Sequence, residues 1–188
     1  MATVVNRKAI AVLVLLIVVV AGSVLSRYWP KLPQRPPNLL LVITDDQSWI
    51  HTGYSSPVLR TPNFDRIANE GVYFDNAFTS APTCTASRSA ILTGQHFWRL
   101  GPAAQLWGDF PAELVNYQRL LEQHGYLVGY TGKGWGPGKS ASGNPAGQDY
   151  NKVKRDVDPA FSTIDHVANL QLFLANKKPD HPFSFWVS

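Results

Sequence analysis

A single cysteine, Cys84, stands among the 188 residues, which excludes an intramolecular disulfide framework and a zinc site built from several thiolates. Acidic residues are missing before Asn38, where five basic ones occur (Arg7, Lys8, Arg27, Lys31, Arg35). The chain has 17 basic against 13 acidic residues, a formal charge of +4, so those five account for the whole excess and the remainder stands at −1. The basicity is therefore terminal, and the rest of the chain lacks the footprint of a nucleic-acid binder. No internal repeat is present. With 45% hydrophobic and only 16% charged residues, the composition excludes a disordered tail, a collagen-like repeat and a coiled coil. The length suits one compact domain and a fraction of a second.

Ala9 to Leu25, AIAVLVLLIVVVAGSVL, carries no charge and follows Arg7 and Lys8. It predicts an export signal or a short membrane anchor in residues 1–27, at the lower limit of what crosses a hydrocarbon core of about 30 Å. Ala21 and Ser23 supply small residues for cleavage, whereas Arg27 and the proline-rich YWPKLPQRPP favour a stop and a stalk. Positive charge on the near side predicts an exported body, either membrane-anchored or periplasmic or extracellular. Residues 28–37 read as a tether and 38–188 as the folded part.

Within that part, NLLLVIT (Asn38 to Thr44) is a continuous apolar run, expected as a central strand buried on both faces. TPNFDRIANEG has Thr61 as cap, Pro62 at the first helical position and Gly71 as stop. Further strands are expected at Val72 to Thr79, Tyr126 to Thr131 and Phe183 to Ser188. Helices are expected at Cys84 to Leu92, Glu113 to His124 and Ser162 to Asn176. Alternating strands and helices predict an α/β sandwich with a largely parallel sheet. HPFSFWVS ends inside an apolar strand with no cap or polar tail, so the chain reads as the N-terminal part of a longer catalytic domain.

Ligands of α/β sheets gather beyond the carboxyl ends of the strands, and Asp45 and Asp46 lie at such an end. Paired carboxylates there suit a hard cation with oxygen ligands; a helix cap or a solvated turn accounts for the pair equally well. In PTCTASRSAILTGQ, Cys84 opens a helical pattern near the positive end of its dipole, with Arg88 one turn along on the same face. Cation and helix N-terminus favour a thiolate and anionic ligands, while an isolated cysteine is also commonly a small core residue.

CTASRSAILTG resembles the sulfatase signature, a Cys or Ser followed by any residue, Pro or Ala, Ser and Arg, then a short helix ending in Leu-Thr-Gly. PNLLLVITDDQ, TPNFDRIANEGVYFDNAF and GYLVGYTGKGWGPG continue the likeness in family order across most of Asn38 to Ser188. The resemblance implies an alkaline-phosphatase-like sandwich with a largely parallel central sheet, incomplete in this chain and preceded by an N-terminal hydrophobic helix. It implies hydrolysis of sulfate esters or sulfamates. Cys84 would be converted by a formylglycine-generating enzyme to formylglycine, whose hydrate attacks sulfur to give a sulfated enzyme and then eliminates sulfate. Asp45 and Asp46 would bind calcium, in preference to magnesium, beside Cys84. Arg88 would steady the formylglycine, and Lys133 would contact both it and the sulfate oxygens of a sulfated carbohydrate or other small sulfated substrate. Ala86 stands where Pro is commonest. Many sulfatases carry His two residues beyond the lysine, where this chain has Trp135; the GKGWGPG variant is nearest in look to the heparan N-sulfatase (sulfamidase) branch.

Rival readings stay open on the sequence. GPGKS (Gly136 to Ser140) suggests phosphate binding, but a P-loop needs Gly where Lys133 stands. A metal-dependent phosphatase or phosphodiesterase of the same superfamily uses an unmodified Ser or Thr, and Thr83 and Thr85 flank Cys84; Arg88 and the ILTG run favour the sulfatase. The non-enzyme alternative is an inactive, truncated, membrane-tethered fragment.

Overall fold

A computed structural model of the protein describes residues 7–28, 35–158 and 160–188. Two compact units divide at Pro36 and Pro37. Among the described residues the first contains one helix, α1 (Arg7–Tyr28, 22 residues), whose described side chains from Val14 to Val24 are exposed. Among the described residues no helix is long and apolar enough to cross a membrane. The signal or anchor expected in residues 1–27 falls on this stretch, of which the side chains of residues 1–13 and 25–27 lie outside the described residues. The Arg7 and Lys8 side chains and residues 29–34 of the tether lie outside the described residues.

The second unit is the predicted α/β fold. Its strands are β1 (Leu39–Val42), β2 (Leu127–Thr131), β3 (Gln148–Asp149) and β4 (Phe183–Val187), in the order β1-β4-β2-β3. All pairings are parallel. Side-chain alternation along β4 builds both faces of the sheet: Trp186 joins Tyr130, Trp135, Phe110 and Leu92 on one side, and Phe185 joins Tyr150 and Phe173 on the other. The first side is covered by α3 (Cys84–Thr93) and α4 (Tyr117–Gln123), the second by α5 (His166–Ala175). Phe173, Phe185 and Trp186 are fully buried, and each contributes about 2–3 kcal/mol of transfer free energy.

Several expectations are corrected. Among the described residues β1 is an edge strand, not a central one: only β4 pairs with it there, and Leu39, Leu40 and Val42 are exposed. Val72 to Thr79 forms no strand, because Asp75 and Asn76 bend it and no partner backbone accompanies it among the described residues; Val72, Phe74 and Phe78 are exposed. α2 (Pro62–Glu70) forms as expected, but Thr61 does not cap it. Its hydroxyl instead accepts from the Gly53 N–H (2.6 Å) and donates to Asp65 (2.8 Å). α4 and α5 start later than expected, where Asn116 and Asp165 accept hydrogen bonds from Arg119 N and Ala168 N and so fix true N-caps.

The strand register positions the site. Val187 pairs with Val42 on one side and Thr131 on the other, so β1, β4 and β2 end level. Asp45, Ser188 and Lys133 follow those ends.

Candidate active site

Cys84 is the first residue of α3, preceded by Thr83 in an extended conformation with no side-chain cap. The first-turn N–H groups are thus left for a ligand at the positive end of the helix. Asp46 has φ 54°, a left-handed conformation that Asp tolerates better than bulkier residues. It brings the second carboxylate back beside the first: one ligand atom each from Asp45, Asp46 and Cys84 lie within 4.8 Å of one another. They line a cleft of about 630 Å³ whose other walls include Arg88, Ile91 and Leu106.

Arg88 is 3% exposed and ties the three strand ends together. Its Nη1 donates to the Gly134 carbonyl (2.6 Å) and the Ser188 hydroxyl (3.0 Å), and its Nη2 to Asp45 Oδ1 (3.1 Å). Lys133 Nζ donates to Asp45 Oδ2 (2.5 Å) and to Cys84 Sγ (3.4 Å). All five residues expected from the sequence therefore meet. Arg88 makes no direct hydrogen bond to Cys84 among the described residues; it holds the loops on which Asp45 and Lys133 stand.

The hydrogen bond from Lys133, aided by Arg88 and opposed by partial burial, holds the Asp45 carboxyl below its ordinary 3.8. On Lys133, burial is the largest single influence and pulls its ammonium down, but Asp45 and Cys84 together outweigh it and raise it above 10.5. Asp45 therefore contributes stability that is fully present above the ordinary carboxylate range and disappears as pH falls through its lowered folded value. In acid titrations of the thermal midpoint, Asp45→Asn should flatten the loss seen in the unaltered protein below about pH 4; identical profiles would refute this assignment.

Two supporting residues were not legible in the sequence. The Asn151 amide brackets Gly132, accepting from its N–H (2.6 Å) and donating to its carbonyl (2.8 Å). Gly132 has φ +87°, and a Cβ there would lie 1.5 Å from the Ser188 carbonyl oxygen, so the turn that launches Lys133 requires glycine. Ser188 is the other: its carbonyl accepts from Lys133 N (3.1 Å).

Trp135, two residues beyond Lys133, faces the interior. It is 5% exposed, donates through Nε1 to Ser89 Oγ (2.8 Å) and packs edge-on against Phe110 at 5.5 Å. Among the described residues that line the cleft there is no histidine.

The sulfatase family model matches residues 37–188, beginning where the second compact unit begins. Human arylsulfatase D is 41% identical over 108 residues, covering 52% of this chain and 18% of that protein. Human N-acetylgalactosamine-6-sulfatase is 32% identical over 147 residues, covering 71% of this chain and 28% of that protein. A solved structure described as being in complex with its substrate, D-glucosamine-2-N,6-O-disulfate, superposes with a TM-score of 0.59 at 25% identity, over 81% of this chain and 34% of that one. The chain thus spans less than a third of these two curated relatives. The cysteine-led helix, the level strand ends and the matched residues converge, and the chain belongs to the sulfatase family.

Proposed function

We propose that the protein hydrolyses sulfate esters or sulfamates of a sulfated saccharide, with Cys84 converted to formylglycine as the nucleophile. The observation that carries this is the Lys133 ammonium, which bridges Asp45 Oδ2 and Cys84 Sγ and so places a fixed cation beside the reacting residue. The saccharide class is supported by the disulfated glucosamine described for the structural neighbour.

In its hydrated form the formylglycine carries two hydroxyls on one carbon. One oxygen attacks sulfur, the bond from sulfur to the alcohol or amine breaks, and the leaving group departs with a proton. Loss of a proton from the second hydroxyl restores the aldehyde and expels sulfate. Lys133, kept protonated by Asp45 and Cys84, is placed to hold the sulfate oxygens through both steps. Arg88 keeps Asp45 and the Lys133 loop in register.

The donor set fits a hard divalent cation: two exposed carboxylates and the residue-84 side chain converge within 4.8 Å. Asp45 and Asp46 would hold calcium, in preference to magnesium, and the ion would withdraw charge from the sulfate. Two carboxylates and two cationic side chains make the site roughly neutral, so an added divalent ion leaves a positive centre for an anionic substrate. Calcium at 100 times its dissociation constant should stabilise the protein by about 2.7 kcal/mol, and Asp46→Asn should abolish that shift. An equal shift in Asp46→Asn would remove Asp46 from the ligand set.

The phosphatase alternative loses ground on the neighbouring threonines. Thr85 is fully buried, with its hydroxyl donated to the Pro137 carbonyl, and the Thr83 hydroxyl oxygen is buried. Co-expression with a formylglycine-generating enzyme, followed by assays on para-nitrophenyl sulfate, glucosamine N-sulfate and para-nitrophenyl phosphate, separates these chemistries. Turnover of a sulfated substrate that depends on the aldehyde is expected; preferential phosphate hydrolysis without it would overturn the proposal.

A further inference from the structure

Leu106 belongs to the lining of the Cys84 cleft. That side chain also forms one wall of a second depression of about 390 Å³, lined by Gly101, Pro102, Gln105, Leu106, Trp107 and Gly108. The two spaces share Leu106 and so are neighbours.

Trp107 occupies its place at a local cost. Gln105 to Gly108 form a tight turn closed by the Gly108 N–H donating to the Gln105 carbonyl at 3.0 Å. Its third residue, Trp107, has φ +66°, while Leu106 is absent from the positive-φ residues. This is the pattern of a type II turn, whose third position favours glycine or asparagine. A bulky side chain there is a genuine outlier. The indole obtains no compensating burial, being 72% exposed. The turn is nevertheless firmly placed between fully buried Ala103 and Phe110, whose N–H donates to the Lys139 carbonyl at 2.8 Å. Gly108 packs so closely that a Cβ would lie 1.9 Å from the Pro102 carbonyl oxygen. A rigid turn thus holds a large aromatic face open to solvent beside the candidate active site.

We infer that Trp107 is the stacking platform of a second saccharide subsite, which takes an uncharged pyranose ring linked to the sulfated one. This rests on the sulfated-saccharide reading above. The depression is lined by no charged side chain, so it offers a sulfate group nothing. An indole face with the Gln105 amide beside it suits a sugar ring, which presents C–H groups on one face and hydroxyls at its edge.

Calorimetric titration of the protein with calcium present, using N-sulfated glucosamine and a disaccharide containing it, tests this. The disaccharide should bind about tenfold more tightly. Trp107→Ala and Trp107→Gly should lose that advantage while keeping affinity for the monosaccharide. Because glycine relieves the turn, Trp107→Gly should unfold at the same temperature as the unaltered protein or higher, the opposite of what a structural indole would show. Equal binding of both sugars by the unaltered protein, or an unchanged disaccharide advantage in Trp107→Gly, would overturn the subsite. A fall in midpoint accompanied by loss of monosaccharide binding would overturn it too, by making the indole structural. Binding of neither sugar would instead remove the saccharide reading on which it rests.

Discussion

Cys84→Ala is expected to lower turnover of a sulfated substrate on the order of 10⁵-fold, because it removes the atom on which both steps of the proposed reaction take place. The fold should survive. Cys84 is half-buried at the start of α3, where alanine is a good helix former, and the main interaction removed is the hydrogen bond from Lys133 at 3.4 Å. The thermal midpoint should therefore move little while activity disappears, a separation that a core cysteine would not show. In the unaltered protein, peptide mass spectrometry after co-expression with the maturation enzyme should show residue 84 as an aldehyde. Substantial sulfatase activity in Cys84→Ala would defeat the assignment and return attention to the flanking threonine hydroxyls.

Four residues of the site carry a local signal, and the resemblance to sulfatases turned that signal into roles. Asp45 and Asp46 interrupt an apolar run where a buried strand has no room for charge, and Cys84 and Arg88 share a helix face by their spacing of four. Lys133 came from the resemblance alone. Their meeting was not legible from spacing alone. It depends on β4 inserting between β1 and β2, which brings Val42, Val187 and Thr131 level.

The misreadings have the same origin. Val72 to Thr79 has the composition of a strand, but a strand exists only where another backbone pairs with it. NLLLVIT reads as buried on both faces, yet burial is conferred by neighbours, and β1 has one strand neighbour among the described residues. Asn151 has no local signal of its role, since its amide serves a turn 19 residues earlier. Trp135 occupies a position where many sulfatases carry histidine, and its indole instead finds Ser89 and Phe110 in the core. For these residues the deciding partner lies far away in sequence.

Arg88→Ala should be the most destabilising change in the site, costing about 3 kcal/mol and lowering the thermal midpoint by about 10 °C. The guanidinium is 3% exposed and directs its hydrogen bonds to groups that end three different strands: Asp45 after β1, Gly134 after β2 and Ser188 after β4. Alanine would leave the Gly134 carbonyl facing a cavity and Asp45 held by Lys133 alone. Arg88→Lys keeps the charge but loses the planar fork that reaches several acceptors at once. It should recover part of the stability and little of the activity, since the Asp45 and Lys133 loops would no longer be fixed against each other. The paired measurements discriminate between roles. If Arg88 served only to neutralise Asp45, lysine would restore activity together with stability; if the strand ends are held by other interactions, Arg88→Ala would unfold at the unaltered temperature, and the keystone role assigned to this residue would be wrong.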